Sequence, residues 1–211
     1  MTQIGVRRKA VALALVMGLL AAVAPRAAIS QILGPRPDAL QDADVTEKLD
    51  NQIPLDLAFR DENGHDVTLA QYFDGQHPVI LSLNYSDCPM LCTLVLNGMV
   101  DSLKELSWTP GQEFEIVSVS INPAETPQRA RLSKQKFVKD YGRPGSARGW
   151  HFLTGREENI KRLADTVGFG YKYVEERNEY AHAAVLMVCT PDGRMSRYLY
   201  RIQFPEQDVK L

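Results

Sequence analysis

The chain has 211 residues, 45% of them hydrophobic and 24% charged, a composition that fits one ordinary globular domain and excludes wholesale disorder. A formal charge of −2 supplies no basic field to hold nucleic acid. Three cysteines are too few for a disulfide-built scaffold, and their odd number leaves at least one unpaired within the chain.

Arg7, Arg8 and Lys9 precede an apolar run from Ala10 to Ala24, shorter than the roughly 20 residues a membrane-spanning helix requires. A basic start, a short apolar stretch and small residues after it read as a secretory signal peptide over residues 1–30. Cleavage fits after Ala24, although Pro25 follows it, or after Ser30. An uncleaved segment would act instead as an N-terminal anchor. Removing residues up to Ser30 takes Arg7, Arg8, Lys9 and Arg26 and no acid, which moves the formal charge from −2 to −6. The mature protein is therefore expected in the periplasm or otherwise outside the cytoplasm, where thiols can oxidise. It would touch the membrane only if the segment is retained.

Residues 31–51 carry Pro35, Pro37 and several acids with little apolar periodicity, and read as a linker or N-terminal arm. The folded domain is expected over 52–211. Leu55, Leu57 and Phe59 alternate with polar residues, Asp61-Glu62-Asn63-Gly64 supplies a turn, and Val67 and Leu69 alternate again, predicting a β-hairpin. Val79 to Tyr85 is a continuous apolar run of the kind buried on both faces of a sheet. Leu91, Leu94, Val95, Met99, Leu103 and Leu106 recur at helical spacing, predicting a helix over 89–106.

Further along, 114–121 predicts a second buried strand, 126–141 a basic helix, 150–153 a short strand and 157–167 a third helix. Residues 183–189 predict a third apolar strand, turned by Pro191-Asp192-Gly193 into a last one over 195–202. The fold class expected is α/β: a mixed sheet flanked by helices, compatible with a thioredoxin-like fold and preceded by a β-hairpin. The chain stops at Leu211, soon after a strand, where such a sandwich would usually add a covering helix.

Cys88-Pro89-Met90-Leu91-Cys92 falls at the junction of the first buried strand and the first helix. Pro89 suits the first helical position, where a missing N–H costs nothing. That places Cys88 at the N-cap and Cys92 one turn on, on the same face. Free N–H groups and the positive end of the helix dipole favour a thiolate at Cys88, while the charge of Asp87 opposes it. Two Cα atoms four apart lie at roughly 6 Å, near the upper limit for a disulfide. The pair could therefore close as a bridge or open to hold a soft metal ion. A bridge over so short a loop constrains the unfolded chain little. Cys189 ends an apolar run and reads as a core thiol.

His65 lies in the predicted hairpin and His77 before the first buried strand, both expected to be exposed, and His151 follows Trp150 in a short apolar stretch where packing is expected. His182 stands just before the third apolar strand, after a polar stretch. It belongs to a loop at a strand end, where α/β sheets build their sites. Cys88, Cys92 and His182 would give two sulfurs and one nitrogen, a donor set suited to copper. A structural zinc site wants a fourth protein ligand. The remaining thiol, Cys189, lies seven residues from His182, roughly 23 Å along a strand. The residues alone leave a structural bridge, an exchanging dithiol and a metal site all open.

At these residues the chain resembles the SCO/SenC family, thioredoxin-fold copper chaperones of bacterial periplasms and mitochondria. The resemblance is carried by Asn84-Tyr85-Ser86-Asp87-Cys88-Pro89-Met90-Leu91-Cys92, the region Ser118 to Pro127, Gly149-Trp150-His151-Phe152-Leu153-Thr154-Gly155, and Tyr180-Ala181-His182. Thr190-Pro191-Asp192-Gly193 followed by Ser196-Arg197-Tyr198 fits as well. The resemblance implies that Cys88, Cys92 and His182 bind one copper ion, as Cu(I) or Cu(II). It also implies a metallochaperone rather than an enzyme, aiding assembly of the copper centre of cytochrome c oxidase. The partner would be the copper-bearing subunit of that oxidase or another periplasmic cuproprotein.

Two positions depart from the family pattern: Thr93 follows the second cysteine where many members have proline, and Asn122-Pro123 replaces the usual Asp-Pro. The alternative activity is a thiol–disulfide oxidoreductase in which Cys88 and Cys92 form the redox pair, although the three-residue spacer differs from the CxxC of thioredoxin. A peroxidase is disfavoured because Tyr85 stands where a peroxidatic cysteine would need Thr or Ser. A third reading is a structural binding domain with a permanent Cys88–Cys92 bridge.

Overall fold

The structure, a computed structural model, describes residues 43–88 and 91–205. The expected signal segment and the start of the arm lie outside these residues. The elements run β1 (Ala58–Arg60), β2 (Asp66–Thr68), β3 (Val79–Asn84), α1 (Leu91–Glu105), β4 (Glu115–Ser120), α2 (Pro127–Tyr141) and β5 (Trp150–Leu153). They continue with α3 (Glu157–Thr166), β6 (Tyr171–Val174), β7 (Glu179–His182), β8 (Val185–Cys189) and β9 (Met195–Tyr200). No helix among the described residues is long and apolar enough to cross a membrane.

The main sheet has the order β5-β4-β3-β8-β9. β3, β4 and β5 run parallel, and β8 and β9 add antiparallel strands beside β3. Strand–helix–strand crossovers give the parallel half, and the closing hairpin gives the antiparallel half. The central strands are buried throughout, which is why they read as unbroken apolar runs.

Alternate side chains serve two cores. Ile80, Ile116, Leu186 and Val188 meet Val95, Met99 and Leu103 of α1 and Phe137 of α2. Leu81, Leu83, Val117, Val119 and Met187 face the side of α3 and the β1–β2 hairpin. The mixed α/β sheet with flanking helices and an N-terminal hairpin is the expected fold class. The hairpin is shorter than its alternation suggests, with three residues in each strand.

From Ala43 the arm is stitched to the domain. Thr46 N–H donates to the Gly168 carbonyl (2.8 Å) and Asp50 N–H to that of Met195 (2.8 Å). β6 and β7, which no sequence pattern predicts, form a separate antiparallel hairpin with Tyr171 opposite His182. His182 is therefore the last residue of a strand and not part of a loop.

Candidate metal centre

β3 ends at Asn84, and the next four residues form a turn closed by the Cys88 N–H on the Tyr85 carbonyl (3.3 Å). Cys88 leads into α1, and the Cys92 N–H donates to the Cys88 Sγ at 3.2 Å. The sulfur thus takes up a backbone donor that the first helical turn leaves without a partner. Pro89 and Met90, on which the predicted helix start depends, lie outside the described residues.

His182 reaches the same place from the far end of the chain. Its Nδ1–H donates to the Ala183 carbonyl (2.9 Å), which leaves the Nε2 lone pair facing the Cys92 Sγ at 3.0 Å. The Phe169 ring lies 5.8 Å and the Tyr85 ring 6.2 Å from the imidazole, holding it from two sides. The Tyr85 hydroxyl is fixed in turn by the Tyr180 N–H (3.2 Å). The Cys88 Sγ, the Cys92 Sγ and a ring nitrogen of His182 all lie within 4.8 Å of one another.

Burial grades the three groups. Cys88 is half-buried, Cys92 is 3% exposed and His182 is 9% exposed. The Cys92 thiol is pushed up, first by its hydrogen bond with Cys88 and then by desolvation. No disulfide joins the two sulfurs, so the pair stands as a dithiol. Beneath it a void of about 10 Å³, lined in part by Ser82, Asn84, Cys92 and His182, has room for no more than one water. Asn84 spans that floor, donating to the Ser82 Oγ (3.0 Å) and the Ser118 Oγ (2.6 Å).

Two soft sulfurs and one imidazole nitrogen converge within bonding range of a single ion, a donor set that suits Cu(I). Asp87, which on sequence alone opposes a thiolate at Cys88, is paired with the Arg129 guanidinium. The other histidines are elsewhere. His65 and His77 pair with Asp61 and Asp74, and His151 packs on Tyr72 while meeting Glu115 (2.8 Å).

Cys189 is fully buried opposite Val79, at the other end of β3 from the centre and roughly 17 Å away at strand rise. Sequence reasoning missed Phe169 and Glu125. The first had no signal beyond its apolar type. The second lies inside the Ser118 to Pro127 region that carries part of the resemblance, where Asn122 and not Glu125 drew attention.

A mixed sheet with a two-thiol, one-imidazole cluster at the C-terminal end of its central strand defines a thioredoxin-like domain with a metal-competent dithiol. The chain belongs to the SCO1/SenC family, whose model matches residues 46–210. No curated protein matches it. Among solved structures it is similar to a protein of Aquifex aeolicus VF5 at 24% identity, with a TM-score of 0.65 over 76% of this chain and 89% of that one. Arabidopsis thaliana ScoI, solved with copper bound, is 22% identical with a TM-score of 0.53 over 69% and 85% of the two chains. BsSco, a Sco-family cytochrome c oxidase assembly protein in which a disulfide switch was identified, is 21% identical with a TM-score of 0.53 over 72% and 85%.

Proposed function

We propose that this protein binds one copper ion through Cys88, Cys92 and His182 and passes it, outside the cytoplasm, to the copper-bearing subunit of cytochrome c oxidase or to another periplasmic cuproprotein. The observation that carries the reading is the convergence of the three ligand atoms within 4.8 Å, from segments ninety residues apart. Family membership and the copper held by Arabidopsis thaliana ScoI support the metal. The basic, apolar N-terminal segment supports the compartment.

The centre suits transfer rather than storage. Its Cys88 sulfur is the accessible ligand, so an incoming thiolate can replace it at the metal while Cys92 and His182 still hold the ion. Anaerobic Cu(I) titration of the reduced protein is expected to saturate near one copper per chain. Cys88→Ser, Cys92→Ser and His182→Ala should each lose tight binding. Full occupancy in His182→Ala would remove that residue from the ligand set.

A second reading is favoured by the adjacent thiols, which no disulfide joins: reduction of a partner's disulfide, with Cys88 attacking and Cys92 resolving. The disulfide switch of BsSco is in keeping with it. Turnover of a model disulfide that Cys88→Ser leaves unchanged would eliminate this role.

A further inference from the structure

The turn that delivers Cys88 spans Tyr85 to Cys88, and both of its central residues are fastened to the entrance of α2. Ser86 donates its N–H to the Glu125 Oε2 (2.9 Å) and its hydroxyl to the Oε1 (2.5 Å). The same Oε2 accepts from the Ser120 hydroxyl (2.7 Å), and Ser133 of α2 lies 2.8 Å from the Ser86 Oγ. Asp87, the next residue, is paired with Arg129 on the first turn of that helix. One carboxylate therefore gathers three donors, two of them from the turn.

The anchor is itself held by local hydrogen bonds. Glu125 precedes an α2 capped by Thr126, with Pro127 in its first turn. Its own N–H donates to the Asn122 carbonyl (3.0 Å). Asn122, standing where the family usually has an acid, spends its side-chain oxygen on the Ala124 N–H (3.0 Å) and stays within its own turn. The carboxylate that faces the cysteine loop is that of Glu125.

We infer that Glu125 is a positioning residue of the centre: through Ser86 it fixes the turn that sets where the Cys88 sulfur stands relative to Cys92 and His182. The inference rests on those three residues being the copper ligands, and it makes a demand of its own. Cys92 and His182 are held by the buried helix face and by the rings of Phe169 and Tyr85. Cys88 is half-buried, and the Glu125 contacts tie down its preceding backbone at Ser86, beside the Asp87–Arg129 pair and the turn's own hydrogen bond. Loosening them should let one ligand wander while the other two stay in place. Groups that hold a metal ligand in place without touching the metal tune affinity by about 10- to 100-fold.

The test compares the full chain with its Glu125→Ala, Glu125→Gln and Ser86→Ala variants in two measurements. Amide hydrogen exchange on the reduced, metal-free protein reads the turn directly. Protection at Ser86 and Cys88 should be lost in Glu125→Ala while β3 and the body of α1 keep theirs. Copper titration then reads the ligands. Glu125→Ala should weaken binding 10- to 100-fold and shift the thiolate-to-Cu(II) charge-transfer band. Glu125→Gln, which keeps one acceptor for the Ser86 N–H, should fall between it and the parent.

A merely structural residue would lower the melting temperature and leave that band in place. A folded Glu125→Ala with unchanged exchange at Ser86 and Cys88, or with unchanged affinity and band, overturns the inference. If Glu125→Ala does not fold, Glu125→Gln and Ser86→Ala decide by the same two readouts. A parent protein that takes up no copper overturns the copper reading instead, and the exchange measurement still judges the clamp.

Discussion

Raising the pH on a pair of proteins, the parent and Cys189→Ala, isolates the energetic effect of one buried thiol. Cys189 is fully buried, its thiol lies 3.9 Å from the Met195 sulfur, and burial pushes it from 9.0 up to about 12. The unfolded chain releases this proton near pH 9, whereas the folded chain keeps it until about 12. Folding is therefore increasingly opposed across that window, and the contribution is fully present only below pH 9. At 1.36 kcal/mol per pH unit, the loss is about 1.4 kcal/mol at pH 10 and below about 0.1 kcal/mol at pH 8.

Alanine removes the titration and leaves a small cavity whose cost, on the order of 1 kcal/mol, does not depend on pH. Urea unfolding under reductant at pH 8 and pH 10 should show the parent's advantage shrinking by about 1.4 kcal/mol, enough to cancel or reverse it. Tyr72, Tyr85 and Tyr171, whose hydroxyls burial also raises, destabilise both proteins alike at high pH and drop out of the difference. A parent-minus-variant difference that stays flat between the two pH values would refute the reasoning.

Gly98 of α1 carries the carbonyl of Ile202 so close that an added Cβ would sit 1.9 Å from its oxygen, and Ser102 one turn on donates to the Phe204 carbonyl. Gly98→Ala should therefore push the 201–205 segment off the helix and cost about 1–3 kcal/mol, read as a lower melting temperature; an unchanged melt would show that the contact is dispensable. Glu62 is buried at 6% exposure and meets the Lys134 ammonium at 2.5 Å. Lys134→Ala should cost about 3 kcal/mol in chemical denaturation by stranding the carboxylate, and Glu62→Gln added to it should recover most of that loss. No recovery in the double variant would mean that the lysine acts through packing instead.

The parts of this protein that were legible in its sequence are those set by short spacings. Cys88 and Cys92 share a face because four residues make a helical turn, and β3, β4 and β8 declare themselves as runs buried on both sides. The β6–β7 hairpin was not legible. Its strands have four residues each, and the rings of Phe169, Tyr171, Tyr173 and Tyr180 hold them by contacts that no local pattern announces.

The meeting of Cys92 with His182 follows from the strand order. β8 lies antiparallel to β3, with Val79 opposite Cys189 and Leu81 opposite Met187, so the start of β8 lies beside the end of β3. A residue three before β8 must then reach the turn that leaves β3, however long the chain between them. The same logic places Glu125. β4 is parallel to β3, with Asn84 level with Ser120, so the segments leaving both strands emerge at one edge, and Ser86 finds a partner from the next crossover. This is the edge where parallel sheets gather their sites. Composition and spacing identify which residues can bind a soft metal, but only the order and direction of the strands decide which of them meet. Here the segment entering the antiparallel neighbour β8 brings the histidine, and the segment leaving the parallel neighbour β4 brings the carboxylate that steadies the cysteine.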